Sequence, residues 1–352
     1  MNKAGSKNNA MSARILGIET SCDETAASVV ENGRMILSNV VASQAELHAR
    51  FGGVFPEVAS RQHIQTITPV VQQALRDAHV DLNEVDAIAV TRGPGLPGSL
   101  VVGMNLAKGL ALGSALPLIG INHLEAHLYS AWLTMKGETS GREPKFPLLA
   151  LIVSGGHTEL ILMEDHLKYR LLGCTLDDAA GEAFDKVARL LGLAYPGGPA
   201  IQQSARDGDP QAVNLPRAWL EETWNFSFSG LKTAVLRVVK KLQADGRPLP
   251  VADISSSFQA AVVEVLVTKT LQAVTEFGAE EILVVGGVSA NTALRQAFQG
   301  QAPCPVHIPP IELCTDNAAM VAGVGYYRFL AGQRDPLDMD VLPTWPISEL
   351  SP

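Results

Sequence analysis

The stretch FPLLALIVSGGHTELILMED, residues 146–165, contains two apolar runs separated by a glycine turn. Apolar runs of this length beside Gly and Pro are typical of β-strands, so the sequence predicts a strand, a tight turn and a returning strand. Because Gly155 and Gly156 have no side chains, backbone N–H groups at this turn can approach a phosphate closely. An ordinary hairpin explains the stretch equally well, so other parts of the chain have to decide.

Two further apolar runs end in polar or glycine residues. ILGIETS, residues 15–21, places Glu19 and Thr20 at a strand end, and ILVVGGVSAN, residues 282–291, places Gly286 and Gly287 there. Each alone is as consistent with a simple strand end or turn as with a ligand loop. Together they resemble the α/β actin/Hsp70/sugar-kinase (ASKHA) fold, in which two RNase H-like lobes close over a nucleotide. Each half of the chain also shows a three-stranded meander followed by helices and further strands, which indicates duplicated topology.

These patterns predict the domain organisation. We expect a disordered tail over residues 1–13, an N-terminal lobe over 14–133, a linker over 134–146 and a C-terminal lobe over 147–329. The linker is indicated by the polar, Gly- and Pro-containing stretch TMKGETSGREPKF. Residues 330–352 are a candidate to pack back on the N-terminal lobe.

Local signals predict several elements of the first lobe. Asn32-Gly33 between two apolar runs indicates a two-residue hairpin. A helix is expected at about residues 56–78, and another from Ser99, as its N-cap, to about Gly113.

The composition indicates a soluble, cytoplasmic protein without a membrane segment. Apolar residues make up 47% of 352 residues, and the four cysteines include no CxxC pair, which favours a reducing compartment. The polar N-terminus has no signal-peptide core, and no run of about 18 apolar residues occurs. The net charge of −9 argues against a long nucleic-acid groove formed by this chain alone.

One short basic stretch stands against this negative charge. It is formed by Lys232, Arg237, Lys240 and Lys241. A solvated helix face explains it as well as an RNA contact does.

The stretch LIGINHLEAHLYSAW, residues 118–132, contains two histidines four positions apart. On a helix, His123 and His127 are about 40° apart and so lie on one face. They can share a metal ion only if a third ligand arrives from elsewhere. The alternative is a pair of histidines at a lobe interface, bonded to backbone.

The order of residues in this stretch disfavours a metalloprotease. Zinc proteases use HExxH, where the glutamate lies about 80° from the midpoint of the two histidines. Here the order is HxExH, and Glu125 lies about 160° from that midpoint, on the opposite face of the helix. Glu125 is therefore expected to be a solvated or interface carboxylate rather than a general base.

Longer motifs resemble one family closely: GIETSCDETAASVV, HLEAHLYS, VSGGHTEL, GEAFDKVARLLGLAYPGGP, FSFSGLKTAV and TDNAAM. They are similar to the TsaD/Kae-type tRNA N6-adenosine threonylcarbamoyltransferases, once described as glycoproteases, from about Ile15 to Tyr327. The resemblance implies transfer of a threonylcarbamoyl group from threonylcarbamoyl-AMP to N6 of adenine 37, next to the anticodon. The tRNAs concerned read codons that begin with adenine.

The resemblance also implies a metal site. The third ligand would be Asp316 of TDNA, contributed by the other lobe, beside His123 and His127. Two histidines and one carboxylate suit one divalent ion, with Fe(II) favoured and Zn(II) as the alternative. Archaeal and eukaryotic relatives often have a tyrosine ligand just before VSGG. Ile152 occupies that position here, so one fewer protein ligand is expected.

Further site residues follow from the same motifs. The phosphate end of the pocket would be lined, mainly by backbone, by Ile152, Val153, Ser154, Gly155 and Gly156. Nucleoside contacts would come from Asp185 to the ribose, Gly198 beside the adenosine, and Asn291 to the base or ribose. The alternatives are a surface ion pair of Asp185 with Lys186 or Arg189, a simple helix start at Gly198 and an N-cap at Asn291.

Three carboxylates are candidates for a catalytic role near the cleft. They are Asp23 and Glu24 of SCDET and, more weakly, Glu182. A solvated turn is the alternative for the first two.

The resemblance implies partners as well as tRNA. Bacterial relatives work with a TsaB-like paralogue and a TsaE-like ATPase, which would supply the RNA surface that this acidic chain lacks. Two other function classes remain at this stage. A small-molecule kinase of the same fold would leave the histidine pair unexplained, and a non-catalytic nucleotide-binding scaffold would not need the metal ligands.

Overall fold

The computed structural model describes residues 12–135 and 143–350. Most of the expected tail and the centre of the expected linker therefore lie outside the described residues. At the edges of these ranges, the buried Ala13 donates its N–H to the Asn32 side chain, and Thr134–Met135 forms a short strand. The first lobe thus extends into both expected segments.

Two mixed β-sheets form the frame of the molecule. The strands of the first are β1 Arg14–Glu19, β2 Glu24–Glu31, β3 Met35–Ser43, β4 Ala87–Gly93, β5 Leu118–Asn122 and β6 Thr134–Met135. Those of the second are β7 Leu148–Val153, β8 Thr158–Asp165, β9 Lys168–Cys174, β10 Glu281–Val285 and β11 Val306–His307.

The two sheets repeat one topology. Their strand orders are β5-β4-β1-β2-β3-β6 and β11-β10-β7-β8-β9. In each sheet the first three strands in sequence form an antiparallel meander. Strands β4 and β5 lie beyond β1 and run parallel to it, and β10 and β11 lie in the same way beyond β7. The first strands, β1 and β7, are almost completely buried, as expected for strands covered on both faces. The duplicated topology and the α/β ASKHA-type fold are thereby confirmed.

Helices cover these sheets. They are α1 Ala45–Ala49, α2 Pro56–Ala78, α3 Pro97–Ser114, α4 His123–Tyr129, α5 Ala180–Leu190, α6 Gly197–Ser204, α7 Ser229–Ala244, α8 Val251–Phe277, α9 Thr292–Gln301, α10 Ile311–Cys314 and α11 Ala318–Leu330. Short 3-10 turns occur at Leu82–Glu84, Ser130–Trp132, Ala205–Asp207, Gly287–Ala290 and Ile347–Glu349. The expected helix at 56–78 has the predicted bounds.

Two local predictions are corrected. Helix α3 begins at Pro97 with Leu96 as its N-cap residue, because proline is pre-organised for the first helical turn. Ser99 lies inside that turn and is not the cap. The hairpin loop has three residues rather than two, since Glu31 pairs with Met35; Asn32 and Gly33 both adopt positive φ as their sequence indicated.

Helix α11 packs on the first sheet, although the expected boundary at residue 329 assigns it to the second lobe. It contacts β1, β2 and β4 and lies against α4. Glycine permits this close approach: a Cβ added to Gly17 of β1 would lie 2.3 Å from the Ala318 carbonyl oxygen. The boundary was wrong because α11 follows second-lobe elements in sequence while its apolar faces fit the first sheet.

The chain after α11 continues along the same sheet. The Asp335 N–H donates to the Leu118 carbonyl at 2.8 Å, and the Leu342 N–H donates to the Arg92 carbonyl at 2.8 Å. One hydrophobic core joins the inner faces of both sheets with α4 and α11. The lobes therefore share a core at the place where the candidate metal ligands lie.

Among the described helices, α8 is the one that is long and apolar enough to cross a membrane, judged by length and composition. It belongs to the core of the second lobe, where Ile254, Phe258 and Leu266 are fully buried. Its buried Lys269 donates to the carbonyls of Trp219 and Asn225 at 2.6 Å each. This pattern is that of a central core helix.

Candidate metal centre

The histidine pair begins at the end of a buried strand. Asn122, the last residue of β5, is the N-cap of α4 and accepts hydrogen bonds from the N–H groups of Leu124 (2.9 Å) and Glu125 (3.2 Å). This cap starts the helix at His123, so His123 and His127 lie one turn apart on one face. Both rings are buried and meet edge to face, with centroids 4.7 Å apart.

Asp316 lies between α10 and α11 and faces the two histidines. Its Oδ1 is 3.1 Å from Nε2 of His127 and 3.5 Å from Nε2 of His123. The three candidate ligand atoms lie within 4.8 Å of one another. The structure therefore places together the three residues that the sequence motifs named. Asp316 reaches the histidines from the start of α11, which packs on the first sheet.

Glu19 was not predicted as part of this centre. Its Oε2 lies 3.0 Å from Nδ1 of His123 and accepts a hydrogen bond from the Thr91 hydroxyl at 2.7 Å. The Ser21 N–H donates to the other carboxylate oxygen. Histidines that bind metals usually donate their second N–H to such a carboxylate, which orients the ring. A glutamate at the end of an otherwise apolar buried strand was the available signal.

The charges at the centre stabilise one another. Burial alone would raise the pKa of Asp316, but His123 and His127 hold it well below its usual range. Burial would lower the pKa of His123, yet Asp316 and Glu19 raise it well above the ordinary value. Burial opposes ionisation of Glu19 too, and His123 outweighs it, so the pKa of Glu19 is lowered.

The donor set fits a divalent metal ion. It consists of two imidazole Nε2 atoms and one carboxylate oxygen, and a carboxylate lies behind Nδ1 of His123. Nδ1 of His127 is buried without a hydrogen-bond partner among the described residues. Two histidines and one carboxylate would fill three coordination positions of the ion and leave others open for substrate oxygens.

The glycine turn lies beside this centre. Ile152 and Val153 are fully buried in β7, so they offer only backbone groups. The turn is closed by Ser154, whose N–H donates to the His157 carbonyl at 2.8 Å and whose hydroxyl accepts from the His157 N–H at 3.1 Å. Apart from the adjoining residues of the chain, no described residue has an atom within 4 Å of where a Cβ of Gly155 or Gly156 would be. The two glycines thus leave space for a ligand.

His157 was a further residue that sequence reasoning missed. Burial, with the nearby His123 and His127, lowers its pKa to about 4. It is therefore a neutral histidine close to the metal ligands, and its place in the SGGHT turn was the only signal.

Comparison with known proteins now adds to this geometry. A family model described as TsaD, tRNA N6-adenosine threonylcarbamoyltransferase, matches residues 35–323. A relative of that name from Thermomicrobium roseum is 57% identical over 346 residues, covering 93% of this chain and 95% of the relative. Another from Dehalococcoides mccartyi is 56% identical, covering 94% and 98%.

The chain belongs to the TsaD family. It is accordingly an enzyme of the tRNA N6-adenosine threonylcarbamoyltransferase class, and the kinase and scaffold alternatives are set aside.

Solved structures agree on the fold. Component A of (R)-2-hydroxyglutaryl-CoA dehydratase from Acidaminococcus fermentans matches with a TM-score of 0.52 at 14% identity, covering 91% of this chain and 99% of that one. HypF of T. kodakarensis matches with a TM-score of 0.58 at 15% identity, covering 91% and 48%. At these identities the likeness concerns architecture alone.

Of the two expected states of Glu125, solvated or interface, the structure has the interface one, where α4 meets β9 and α11. It is buried, and the Arg328 guanidinium donates to it at 2.6 Å while the Tyr169 hydroxyl donates at 2.7 Å. Burial raises the pKa of this carboxyl, and Arg328 opposes the rise. Arg328 lies near the end of α11, which packs against α4, and so reaches Glu125. With its oxygens engaged by Arg328, Glu125 is no general base.

The residues expected to contact the nucleoside lie at two helix starts, those of α6 and α9. Asp185 accepts from the Gly197 N–H at 2.7 Å at the beginning of α6, rather than pairing with Lys186. A Cβ added to Gly198 would meet no atom within 4 Å among the described residues outside its own helix backbone and chain neighbours. Asn291 is the N-cap of α9, accepting from the Leu294 N–H at 3.0 Å, so the alternative reading of this side chain holds in the structure. The nucleoside contacts of all three residues stay predictions.

The expected catalytic carboxylates lie in different surroundings. Burial, with neighbouring Asp23 and Asp316, raises the pKa of Glu24 to about 9. Glu182 instead forms an ion pair with Lys186 at 2.8 Å on the surface of α5. Asp23 holds the adjoining segment through its carbonyl, which accepts from the Gln44 N–H at 3.1 Å.

The basic stretch on α7 is shorter than expected. Lys232 donates to Asp178 at 2.9 Å and is therefore neutralised locally. Arg237, Lys240 and Lys241 remain exposed on the helix. This surface is too small to offset the net charge of −9.

Proposed function

We propose that this enzyme transfers the threonylcarbamoyl group from threonylcarbamoyl-AMP to N6 of adenine 37, in tRNAs that read codons beginning with adenine. The observation that supports it most is the convergence of His123, His127 and Asp316 beside the open Gly155-Gly156 turn, in a member of the TsaD family. The turn suits the phosphate of the donor because its backbone can approach closely.

The reaction needs little covalent help from the protein. The donor is a mixed carbamic–phosphoric anhydride, so N6 attacks the carbamoyl carbon, the bond to the phosphate oxygen breaks, and AMP leaves. A bound divalent ion would polarise the carbonyl or neutralise phosphate oxygens. His123, His127 and Asp316 would hold that ion, and Glu19 would keep His123 oriented.

The N6 proton needs an acceptor near the cleft. Glu24, with a pKa of about 9, keeps its own proton at neutral pH, and Glu182 is paired with Lys186. Asp23 is therefore the carboxylate that fits this role best among the three expected candidates. Asp185, Gly198 and Asn291 would contact the nucleoside of the donor.

The metal is proposed to be Fe(II), with Zn(II) as the alternative, because two imidazoles and one carboxylate suit both. The site has no tyrosine ligand at position 152, because that position is Ile152, whose apolar side chain is fully buried in β7. Metal analysis of protein purified without added metal would distinguish the two ions.

We also propose that the enzyme works in the cytoplasm with a TsaB-like paralogue and a TsaE-like ATPase. The support is the net charge of −9 together with the short basic surface on α7, which predict weak, salt-sensitive RNA binding by the chain alone. Such partners would add basic surface or stabilise the closed lobes.

The test combines the purified chain, synthetic threonylcarbamoyl-AMP and unmodified tRNA, with and without the two partner proteins. Nucleoside mass spectrometry should detect threonylcarbamoyladenosine only in the complete mixture, and the chain alone should bind tRNA weakly in a filter assay at physiological salt. Absence of the modified nucleoside from the complete mixture would overturn the proposed reaction. Sub-micromolar tRNA affinity and full turnover of the isolated chain would overturn the need for partners.

A further inference from the structure

A short loop of the first lobe crosses towards the second lobe. We call residues 50–55, RFGGVF, the rim loop. It is anchored at its end by the Phe55 N–H, which donates to Nδ1 of His48 at 3.2 Å. Gln44, which precedes it, contacts His48 through its side chain at 3.2 Å and donates its N–H to the Asp23 carbonyl at 3.1 Å. The loop is therefore fixed to the segment that follows β1, next to the metal centre.

The other side of the rim loop contacts the second lobe. The Arg189 guanidinium, on α5, donates to the Gly52 carbonyl, and a Cβ added to Gly53 would lie 3.7 Å from the same guanidinium. Gly52 and Gly53 both have positive φ, which permits the tight course of the loop. The rim loop therefore joins the first lobe to α5, the helix that also contains Asp185.

The rim loop presents two exposed aromatic rings. Phe51 is 55% exposed and Phe55 is 46% exposed, and their ring centroids are 5.5 Å apart at an angle of 36°. Exposure of a phenylalanine ring to water is unfavourable, and here two such rings lie side by side on an anchored loop. They form a small apolar platform beside the cleft.

We propose that Phe51 and Phe55 stack an unpaired base of the tRNA anticodon loop while the neighbouring adenine enters the cleft. This inference rests on the proposed function. Proteins recognise single-stranded RNA loops by stacking their bases on aromatic rings, and the substrate base of this enzyme lies in such a loop.

The charges around the platform fit RNA. The exposed Arg50 and Arg61 lie on the rim loop and α2, and the exposed Arg189 lies opposite, against the two exposed carboxylates Glu46 and Glu57. Exposed arginines near a stacked base can contact the phosphates on either side of it. The adenine of the small donor is the other nucleobase available, but a bound small molecule loses most of its surface to a pocket, whereas both rings are about half exposed.

The test uses the full chain with its partner proteins and a tRNA anticodon stem-loop. The double variant Phe51→Leu/Phe55→Leu keeps apolar side chains but removes both ring faces, and Phe51→Trp/Phe55→Trp keeps the faces. Trp219→Ala removes another exposed aromatic ring, in the second lobe, and is the matched control. Circular dichroism and metal content verify the fold of each variant.

The leucine variant should raise the KM for the stem-loop about ten-fold, the size of one lost base–aromatic stack. Its KM for threonylcarbamoyl-AMP should not change, and the tryptophan variant and Trp219→Ala should match wild type. Removing one loop base at a time from the RNA should identify one abasic stem-loop that weakens wild-type binding but not binding by the leucine variant.

Other outcomes separate the possible errors. If wild type modifies no tRNA, the proposed function itself fails. If wild type is active and the leucine variant keeps its KM for RNA, or if leucine and tryptophan variants behave alike, the stacking platform is wrong. A rise in the KM for threonylcarbamoyl-AMP alone would assign the rings to the donor and overturn the RNA proposal.

Discussion

Helix α4 has two buried polar faces that differ in what they can bind. On one face, His123 and His127 meet Asp316 with the three ligand atoms within 4.8 Å of one another, and Nδ1 of His127 has no hydrogen-bond partner among the described residues. On the other face, Glu125 meets Arg328 and Tyr169, and its carboxylate oxygens are engaged at hydrogen-bond distance.

The difference separates a binding site from a structural contact. Both faces join α4 to the α11 region, since Asp316 lies two residues before α11 and Arg328 lies near its end. The first face can still bind an ion, whereas the second is an ion pair closed within the protein. A buried carboxylate close in sequence to a histidine pair, such as Glu125, is therefore insufficient to indicate a catalytic role. The groups that the carboxylate contacts show whether it is free to react.

The largest expected effect is on the face of α4 that contains His123 and His127, here called the open face. Replacing both His123 and His127 with Ala should abolish metal binding and transferase activity, because a single carboxylate remains. Plasma emission metal analysis and the nucleoside assay measure the two losses, and circular dichroism should show a retained fold. Asn122 and its capping bonds remain in this variant, so α4 should persist. Full metal content with full activity would show that the ligands were assigned wrongly.

The next effect concerns the face of α4 that contains Glu125, here called the closed face. Glu125→Gln removes the carboxylate charge that accepts from the buried Arg328 guanidinium, and should lower the free energy of unfolding by about 3–5 kcal/mol. Urea denaturation measures the loss, while metal content at saturating metal should remain one ion per chain.

The matched control for that variant removes both charges. Glu125→Leu/Arg328→Met should recover much of the lost stability, since apolar replacement of a buried ion pair is often neutral. Loss of metal binding by Glu125→Gln in protein that is fully folded would instead return Glu125 to the open face.

The fold could be predicted from local sequence because its signals are local. Apolar runs followed by glycine turns occur at equivalent places in the two halves, and the meander of each sheet follows directly from them. The helix containing the histidines was likewise predictable, since their spacing of four defines one face of a helix. The position of α11 was not, because its small residues and apolar faces fit either lobe until the packing is known.

The candidate site was predictable in part. His123 and His127 followed from their spacing, but Asp316 was named only through the family resemblance. A helical projection gave the direction of Glu125 and not its partner, because Arg328 lies 203 residues away in sequence. Glu19 was visible as a polar residue at a strand end, yet its contact with His123 depends on how β1 and α4 meet.

Glu19 permits a finer test of the open face. Glu19→Gln should weaken metal affinity about 10–100-fold through loss of the carboxylate that orients His123, while saturating metal still fills the site. Competition with a metal-binding dye measures the affinity. Thr91→Val is the control, since it removes one hydrogen bond to Glu19 and keeps the carboxylate, and its effect should be smaller. Wild-type affinity in Glu19→Gln would exclude this positioning role.

The smallest effect is a pH dependence of stability caused by His166, which lies against Tyr129 at the end of α4. His166 packs between aromatic rings, with its ring centroid 4.1 Å from that of Tyr327 and 5.6 Å from that of Tyr129. Burial lowers the pKa of His166 to about 4, with Arg34 acting in the same direction and Asp165 against it. This is opposite to His123, whose carboxylate neighbours raise its pKa.

The sign of the effect follows from where the proton binds. Between about pH 6.5 and pH 4 the unfolded chain protonates this histidine while the folded protein does not, so stability falls as pH is lowered through that range. His166→Phe keeps an aromatic ring in the cluster and removes the titration. Urea midpoints of the two proteins should therefore converge or cross in favour of the variant as the pH is lowered from 7 to 4.5, since the other titrating groups are common to both. Parallel midpoints over that range would show that the aromatic cluster holds a protonated histidine as readily as a neutral one.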